Sequence, residues 1–507
     1  MTEAGAGGGR ASEPRNIVIC CDGTGNEVSG KLSNVLKLFR IAVKNDAQRV
    51  WYHPGVGTIG TDSAWEAFKV RLRSYWGMAT GAGLDEDILR AYRFLVETWR
   101  PGDRIYLFGF SRGAYTVRAL AAFIQMIGLL RPDQRDIADY ALTTYKKAGW
   151  AKEDAVRKGG AAAPSAGAQD PFEEGAPDGF QAAWDFSRVA GARRVTIHFI
   201  GVWDTVSSMI VPGTGLLSLP KLRTLPYTRT NNIVRTFRHA MAIDERRRMF
   251  RLNRWTEGQT FVENPFVTPK VEYPQDCRQL WFAGVHSDVG GGYPEAQSSL
   301  SKWPLIWMIE EAVAHGLRID RPTFRHLACG DPEPGGRHQY RPPNACGPAH
   351  RSLTGFWWLL EIFPKSAKWR EWRRAFLGLY LPLGEPRPVP PTDSLHPSVA
   401  ERVAGCPGKP PETPRYKGCL YPPYDPVNLE DRRPLPPPEG PWGPLLRKIA
   451  VFLLIAVMGA IMCLLHWLWA RHPAWNPGFW IHLWAAKLWH GLAWLWDQVP
   501  KSCCLRR

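Results

Sequence analysis

Residues 104–128 read RIYLFGFSRGAYTVRALAAFIQMIG. An apolar run with strand character ends at a serine set between two glycines, and a long stretch with helical spacing follows at once. A strand that passes through so tight a turn into a helix constrains the chain severely. The helix must fold back over a sheet, and the next strand of that sheet then runs parallel to the first.

The same alternation recurs from Asn16 onward. NIVICCD is a short β-branched run closed by the turn residues DGTGN. SNVLKLFRIAV has a serine cap and helical spacing, and RVWYHPGVGT is a strand ending at Pro and Gly. LDEDILRAYRFLVETW carries acids in its first turn and apolar residues at Ile88, Leu89, Tyr92 and Val96. After a polar Ala/Gly/Pro-rich insertion at 159–179, the pattern resumes with RRVTIHFIGVWDTV, then RQLWFAGVHSDVGGGY and the helix-like PLIWMIEEAVAHGL. This order predicts an α/β fold, a mostly parallel sheet with helices on both faces.

The organisation expected is a disordered lead-in over 1–15, a catalytic core over 16–328 with its flexible insertion, and an aromatic, Pro-rich segment over 329–444 that completes or caps the core. Ile449–Trp469 then holds one polar side chain in 21 residues, enough to cross a bilayer core of about 30 Å as a transmembrane helix. The Trp-rich segment 477–499 either spans or lies in the interface. His482, Lys487, His490 and Asp497 share one helical sector, but Phe479, Leu483 and Trp494 fall there too. Spanning would place Arg447, Lys448, Lys501, Arg506 and Arg507 on one side, opposite Arg471 alone.

A net charge of +17 and 24 Trp agree with contact to a membrane surface and anionic headgroups. No nucleic-acid module is present to use the charge otherwise. Ten Cys in 507 residues do not make a disulfide scaffold, and Cys503-Cys504 beside the apolar segments is a candidate for S-acylation. The N-terminus has no apolar core of the kind a secretory signal needs, so the catalytic part is expected in the cytoplasm, on the membrane.

Gly109-Phe110-Ser111-Arg112-Gly113 matches G-x-S-x-G, in which small flanking residues let a nucleophilic serine stand on a strand-to-helix turn. Such a nucleophile needs a base, an acid to orient it and donors for an oxyanion. Asp204 and His286 each follow an apolar run, in the order serine, acid, histidine. His396 is a rival base without a strand before it, and Asp288 is an alternative acid. The oxyanion donors expected are the N–H of Arg112 and that of Gly23 or Thr24 in CDGTGN, where Asp22 pins the loop or meets substrate. An aspartyl-phosphate mechanism through DGT would need its nucleophile at position 20, which is cysteine. No cofactor and no metal enter this chemistry.

CDGTGN, FGFSRGAYTVRAL, GVWDTV, GVHSDVGGGY and LHPSVAERV, in this order, resemble the α/β-hydrolase family of the type VI secretion phospholipase effector catalytic domain. The resemblance spans about residues 16–429. It implies metal-free hydrolysis of lipid acyl esters, with Ser111 as nucleophile, Asp204 as acid and His286 as base. The expectation is therefore a membrane-anchored serine lipase or phospholipase with a phospholipid substrate. A catalytically silent membrane scaffold and a secreted phospholipase toxin are the alternatives, and oligomeric state is not legible.

Overall fold

The computed structural model describes residues 14–23, 31–55, 83–157, 178–206, 225–263, 271–333, 338–354, 356–362 and 379–406, with a few short pieces besides. The calls on 1–13, on most of the 159–179 insertion and on both C-terminal segments, 449–469 and 477–499, lie outside these residues. Among the described residues no helix is long and apolar enough to cross a membrane.

The chain divides into two units. The larger comprises Met1–Ile210, Leu222–Thr354 and Pro386–Asp431. Its elements are β1 (Asn16–Cys21), α1 (Asn34–Ile41), β2 (Gln48–His53), α2 (Leu84–Thr98), β3 (Arg104–Phe110), α3 (Arg112–Ile127), α4 (Ala138–Arg157), α5 (Asp178–Val189), β4 (Ile197–Trp203), β5 (Val234–Ala242), β6 (Asp276–Phe282), α6 (His286–Gly290), α7 (Ser299–Ala314), β7 (Ser394–Leu395) and α8 (Pro397–Val403). The smaller unit comprises Val211–Lys221, Gly355–Glu385 and Arg432–Arg507. In it Phe356–Ile362 is helical, and Lys365–Ser366 pairs antiparallel with Leu379–Tyr380.

Seven strands form one sheet in the order β7-β6-β5-β4-β3-β1-β2, parallel at every pairing. The side-chain period of two sorts each strand onto two cores. Ile17, Ile19, Cys21, Ile105 and Leu107 pack beneath α2, α3, α4 and α5. Val18, Cys20, Tyr106, Phe108 and Phe110 face α1 and α7. The sheet is thus covered on both faces, as the alternating sequence predicts, and Cys20 and Cys21 are buried on opposite sides.

Strand order reverses between β1 and β3, the place in a doubly wound sheet where a crevice opens at the carboxyl ends. Asp22 and Ser111 follow those two strands directly. Ser33 caps α1 through a 3.0 Å bond from the Leu36 N–H, as the sequence suggests. Cys346 and Cys406 form a disulfide that the spacing, 60 residues apart, does not announce.

Candidate active site

Register brings the first two residues together. Phe110 pairs with Trp203 across β3 and β4, so Ser111 and Asp204 leave adjacent strands at the same level. The Ser111 N–H donates to the Trp203 carbonyl at 3.1 Å, and the Asp204 N–H to that of Ala240 at 2.8 Å. Both residues have positive φ, 57° at Ser111 and 39° at Asp204. Backbone held this way in non-glycine residues is strained by roughly 1–3 kcal/mol each and concentrates at functional sites.

The turn at Ser111 is built by contacts that admit only hydrogen on its neighbours. A Cβ on Gly109 would stand 2.5 Å from the Gly113 carbonyl oxygen, and one on Gly113 would stand 2.1 Å from the carbonyl oxygen of Cys21. The glycines of the motif are therefore what allow β3, α3 and the end of β1 to meet.

His286 opens α6, at the end of the short loop after β6. Its Nδ1 lies 2.5 Å from Asp204 Oδ2, and its ring centroid lies 4.6 Å from that of Phe110, the residue before Ser111. With an ionised carboxylate as acceptor, Nδ1 carries the hydrogen and Nε2 is left as a proton acceptor. The loop is fixed from both sides. The His286 N–H donates to the buried Glu245 at 3.3 Å, and Gly284 N–H donates to Asp244 at 2.6 Å. Burial lowers the His286 pKa more than the bond to Asp204 raises it, and the net shift is downward.

Asp204 is fully buried, and burial alone would raise its pKa. Arg387 reverses that. Its Nη1 donates to Oδ1 at 2.6 Å and its Nη2 to Oδ2 at 3.0 Å, while Ala242 N–H adds a third donor at 2.9 Å. With His286, these contacts hold the carboxyl well below the usual carboxylate range. Arg387 sits in GEPRPVPP, and nothing in that Pro-rich run singles out the arginine. Glu245, drawn down to about 2 by Arg247 despite its burial, is likewise a residue that sequence reasoning does not single out.

The alternative residues take other places. Asp288 receives the Val285 N–H at 3.0 Å, the His350 N–H at 2.9 Å and His350 Nδ1 at 2.6 Å, so it braces the turn that presents His286 and does not orient the imidazole. His396 does follow a strand, the two-residue β7, which corrects the expectation that none precedes it. Its Nδ1 pairs with Ser398 at 2.8 Å as the cap of α8, and its ring stacks on Phe282. Burial takes its pKa down to about 4.

The expected oxyanion donors also divide. Gly23 N–H is not free, since it donates to Asp22 Oδ1 at 2.7 Å. Thr24 lies outside the described residues. Asp22 Oδ2 accepts from Ser33 Oγ and, at 2.9 Å, from the Tyr52 hydroxyl. Arg112 is the first residue of α3, where a backbone N–H has no acceptor within its own helix. Its side chain is tied to Asp87 of α2 at 3.0 Å, which anchors the helix beside Ser111.

Residues 15–311 match the family described as T6SS, phospholipase effector Tle1-like, catalytic domain. The chain belongs to that family. The Tle1-like match ends 76 residues before Arg387 (387 minus 311). Among curated proteins, the uncharacterized protein YEL023C of Saccharomyces cerevisiae is 23% identical over 79% of this chain and 81% of its own. Two solved structures are similar. One, an uncharacterized protein from Pseudomonas aeruginosa, has 18% identity and a TM-score of 0.32 over 62% of this chain and 47% of that one. The other, the Tle1 effector bound to the VgrG spike of the type 6 secretion system, has 21% identity and a TM-score of 0.27 over 57% and 53%. The chain thus spans about half the length of the solved structures it matches.

Proposed function

We propose that this Tle1-like chain is a serine hydrolase that cleaves acyl esters of membrane lipids, a phospholipase or lipase held at the membrane by its C-terminal apolar segment. The observation that carries the reading is the 2.5 Å contact between His286 and the buried Asp204, beside a serine held at φ 57° on a strand-to-helix turn. Membership in a family of phospholipase effectors supports the lipid substrate.

In this reading Ser111 Oγ attacks the acyl carbonyl carbon while its proton passes to His286 Nε2. The Arg112 N–H, at the start of α3, stabilises the oxyanion. The tetrahedral intermediate collapses, the ester C–O bond breaks, and His286 returns the proton to the departing lipid alkoxide. Water, deprotonated by His286, then attacks the acyl-serine, the acyl C–Oγ bond breaks, His286 returns the proton to Ser111 Oγ, and the fatty acid is released.

A chain held at the membrane in this way would act on membranes of the producing cell rather than be exported as a toxin. The site would then face the cytoplasm. Exposed Trp358 and Ile362 in the smaller unit supply apolar surface suited to a lipid interface. The test is release of fatty acid from phospholipid vesicles and short-chain esters by the full chain and by Ser111→Ala. Equal rates, or no cleavage of any acyl ester by either, would remove the hydrolase reading.

A further inference from the structure

Arg387 is supplied by the Pro-rich segment 329–444, which the sequence presents as completing or capping the core, and it lies beyond the family-matched residues. Its side chain is 6% exposed, and its guanidinium donates to both oxygens of Asp204, to the Ala242 carbonyl at 2.9 Å and to the Phe250 carbonyl at 2.6 Å. Phe250 in turn sets its ring edge-on to His286 at 4.8 Å. One planar fork therefore fixes the acid, the end of β5 and the residue that walls the base.

Resting on the triad reading above, we propose that Arg387 is a positioning residue of the acid–base pair, holding Asp204 ionised and aimed so that His286 stands neutral and ready to accept a proton. Two arguments carry this. A carboxylate removed from water needs a partner or it takes up a proton, and an imidazole carries no charge with which to compensate it. The bidentate geometry also fixes the plane of the carboxylate, which a point charge would leave free to turn.

The sign of the effect follows from counting protons on the pair. With Arg387 present, the ground state is ionised Asp204 beside neutral His286. Adding one proton gives either imidazolium beside carboxylate or neutral imidazole beside carboxylic acid. Removing the cation favours both protonated forms over the ground state, because imidazolium loses a nearby positive charge and the carboxylate loses its partner. The pair therefore holds its proton to a higher pH, whichever atom carries it.

The other charged groups around the base leave this argument intact. Glu245 receives the His286 N–H and is bound by Arg247 at 2.8 Å. Asp288 is occupied by His350. His239, buried behind Asp204, accepts the Thr205 N–H at 3.1 Å, and burial takes its pKa down to about 3. None of these touches the Asp204 carboxylate, whereas Arg387 contacts both of its oxygens.

The test reads the imidazole directly, so that it does not depend on the substrate. In the full chain labelled with ¹³C-histidine, the His286 resonance, assigned by its loss in His286→Gln, is followed against pH in wild type, Arg387→Met, Arg387→Gln and Arg387→Lys. The midpoint should rise by about one pH unit or more in the two neutral variants and stay near wild type in the lysine variant. In an Asp204→Asn background the upward shift on adding Arg387→Met should shrink, because no carboxylate remains to lose its partner. The acid limb of fluorophosphonate inactivation, in which Ser111 Oγ displaces fluoride from phosphorus, should move with the midpoint. Midpoints within about 0.3 unit of wild type in both neutral variants, roughly a third of the smallest shift expected, would overturn the proposal. So would failure of both to fold while Arg387→Lys folds, which would make Arg387 a residue of the fold alone. If wild type reacts with no ester and no fluorophosphonate, the hydrolase reading falls, while the titration still decides the role of Arg387.

Discussion

Gly113 lies so close to the end of β1 that a Cβ on it would stand 2.1 Å from the Cys21 carbonyl oxygen and 2.6 Å from that of Asp22. Both obstacles are backbone, at and just past the end of β1, a strand paired on both sides by β2 and β3, so neither can swing aside. Gly113→Ala should therefore push α3 away from β1 and displace Ser111 with it. Overpacking of this kind costs about 1–3 kcal/mol. Activity should fall further than the melting temperature does, because the serine is misaimed even in the molecules that fold. Thermal melts and ester hydrolysis on one preparation check this, and an unaltered rate would contradict it.

Asp204→Asn separates the two duties of the acid. The amide keeps the volume but has no charge for Arg387, whose guanidinium is buried with it. An uncompensated buried charge costs roughly 3–5 kcal/mol, so the melting temperature should drop visibly. The amide also favours the wrong tautomer of His286, and turnover should fall by about 10⁴-fold in the molecules that remain folded. A variant with wild-type turnover would remove Asp204 from the site.

Much of the site is legible because its chemistry is written in local pattern. The strand, glycine, serine, glycine and helix of residues 104–127 are contiguous, and Asp204 and His286 each end a recognisable apolar run. β5 is harder to see. Val234–Ala242 carries Arg238 and His239 in its middle, and both are buried. Arg238 is balanced by Asp276 at 2.8 Å and Glu311 at 2.6 Å, and His239 by the Thr205 N–H, none of them near it in sequence. Arg387 escapes for the same reason, since a buried ion pair between positions 204 and 387 leaves no trace in the spacing of either. Gly23 shows the opposite error. Glycine geometry suggests a free donor, but the preceding aspartate turns back to take it.

The two alternative residues should behave differently from Asp204 and His286. Asp288→Ala releases the Val285 N–H and His350, so it should loosen the turn that presents the base and lower both stability and rate. Its loss of rate should stay well short of that in Asp204→Asn. His396→Ala removes a helix cap at the sheet edge and should cost about 0.5–2 kcal/mol of stability with the specific activity of folded protein retained. Loss of activity in His396→Ala equal to that in His286→Ala would reverse the assignment of the base.

The pH dependence of kcat/KM offers the last check, and its sign follows from burial. His286 has its pKa lowered, chiefly because imidazolium is poorly solvated where the ring sits between Phe110 and Phe250. The neutral, base-competent form therefore persists below the ordinary histidine value of about 6.5, and the acid limb should fall below that pH with the plateau reached before neutrality. Asp204 stays ionised throughout this range because Arg387 holds its pKa down, so it should add no second step near pH 4. His396, whose pKa also lies low at about 4, caps α8 and is paired with Ser398, so His396→Ala should leave the limb where it is. The measurement is kcat/KM between about pH 4 and 8 on a soluble ester, a window reaching roughly 2.5 units below and 1.5 units above the ordinary histidine value. A limb above the ordinary histidine value would mean that the proton acceptor is not a buried imidazole, and the role given to His286 would have to pass to another group.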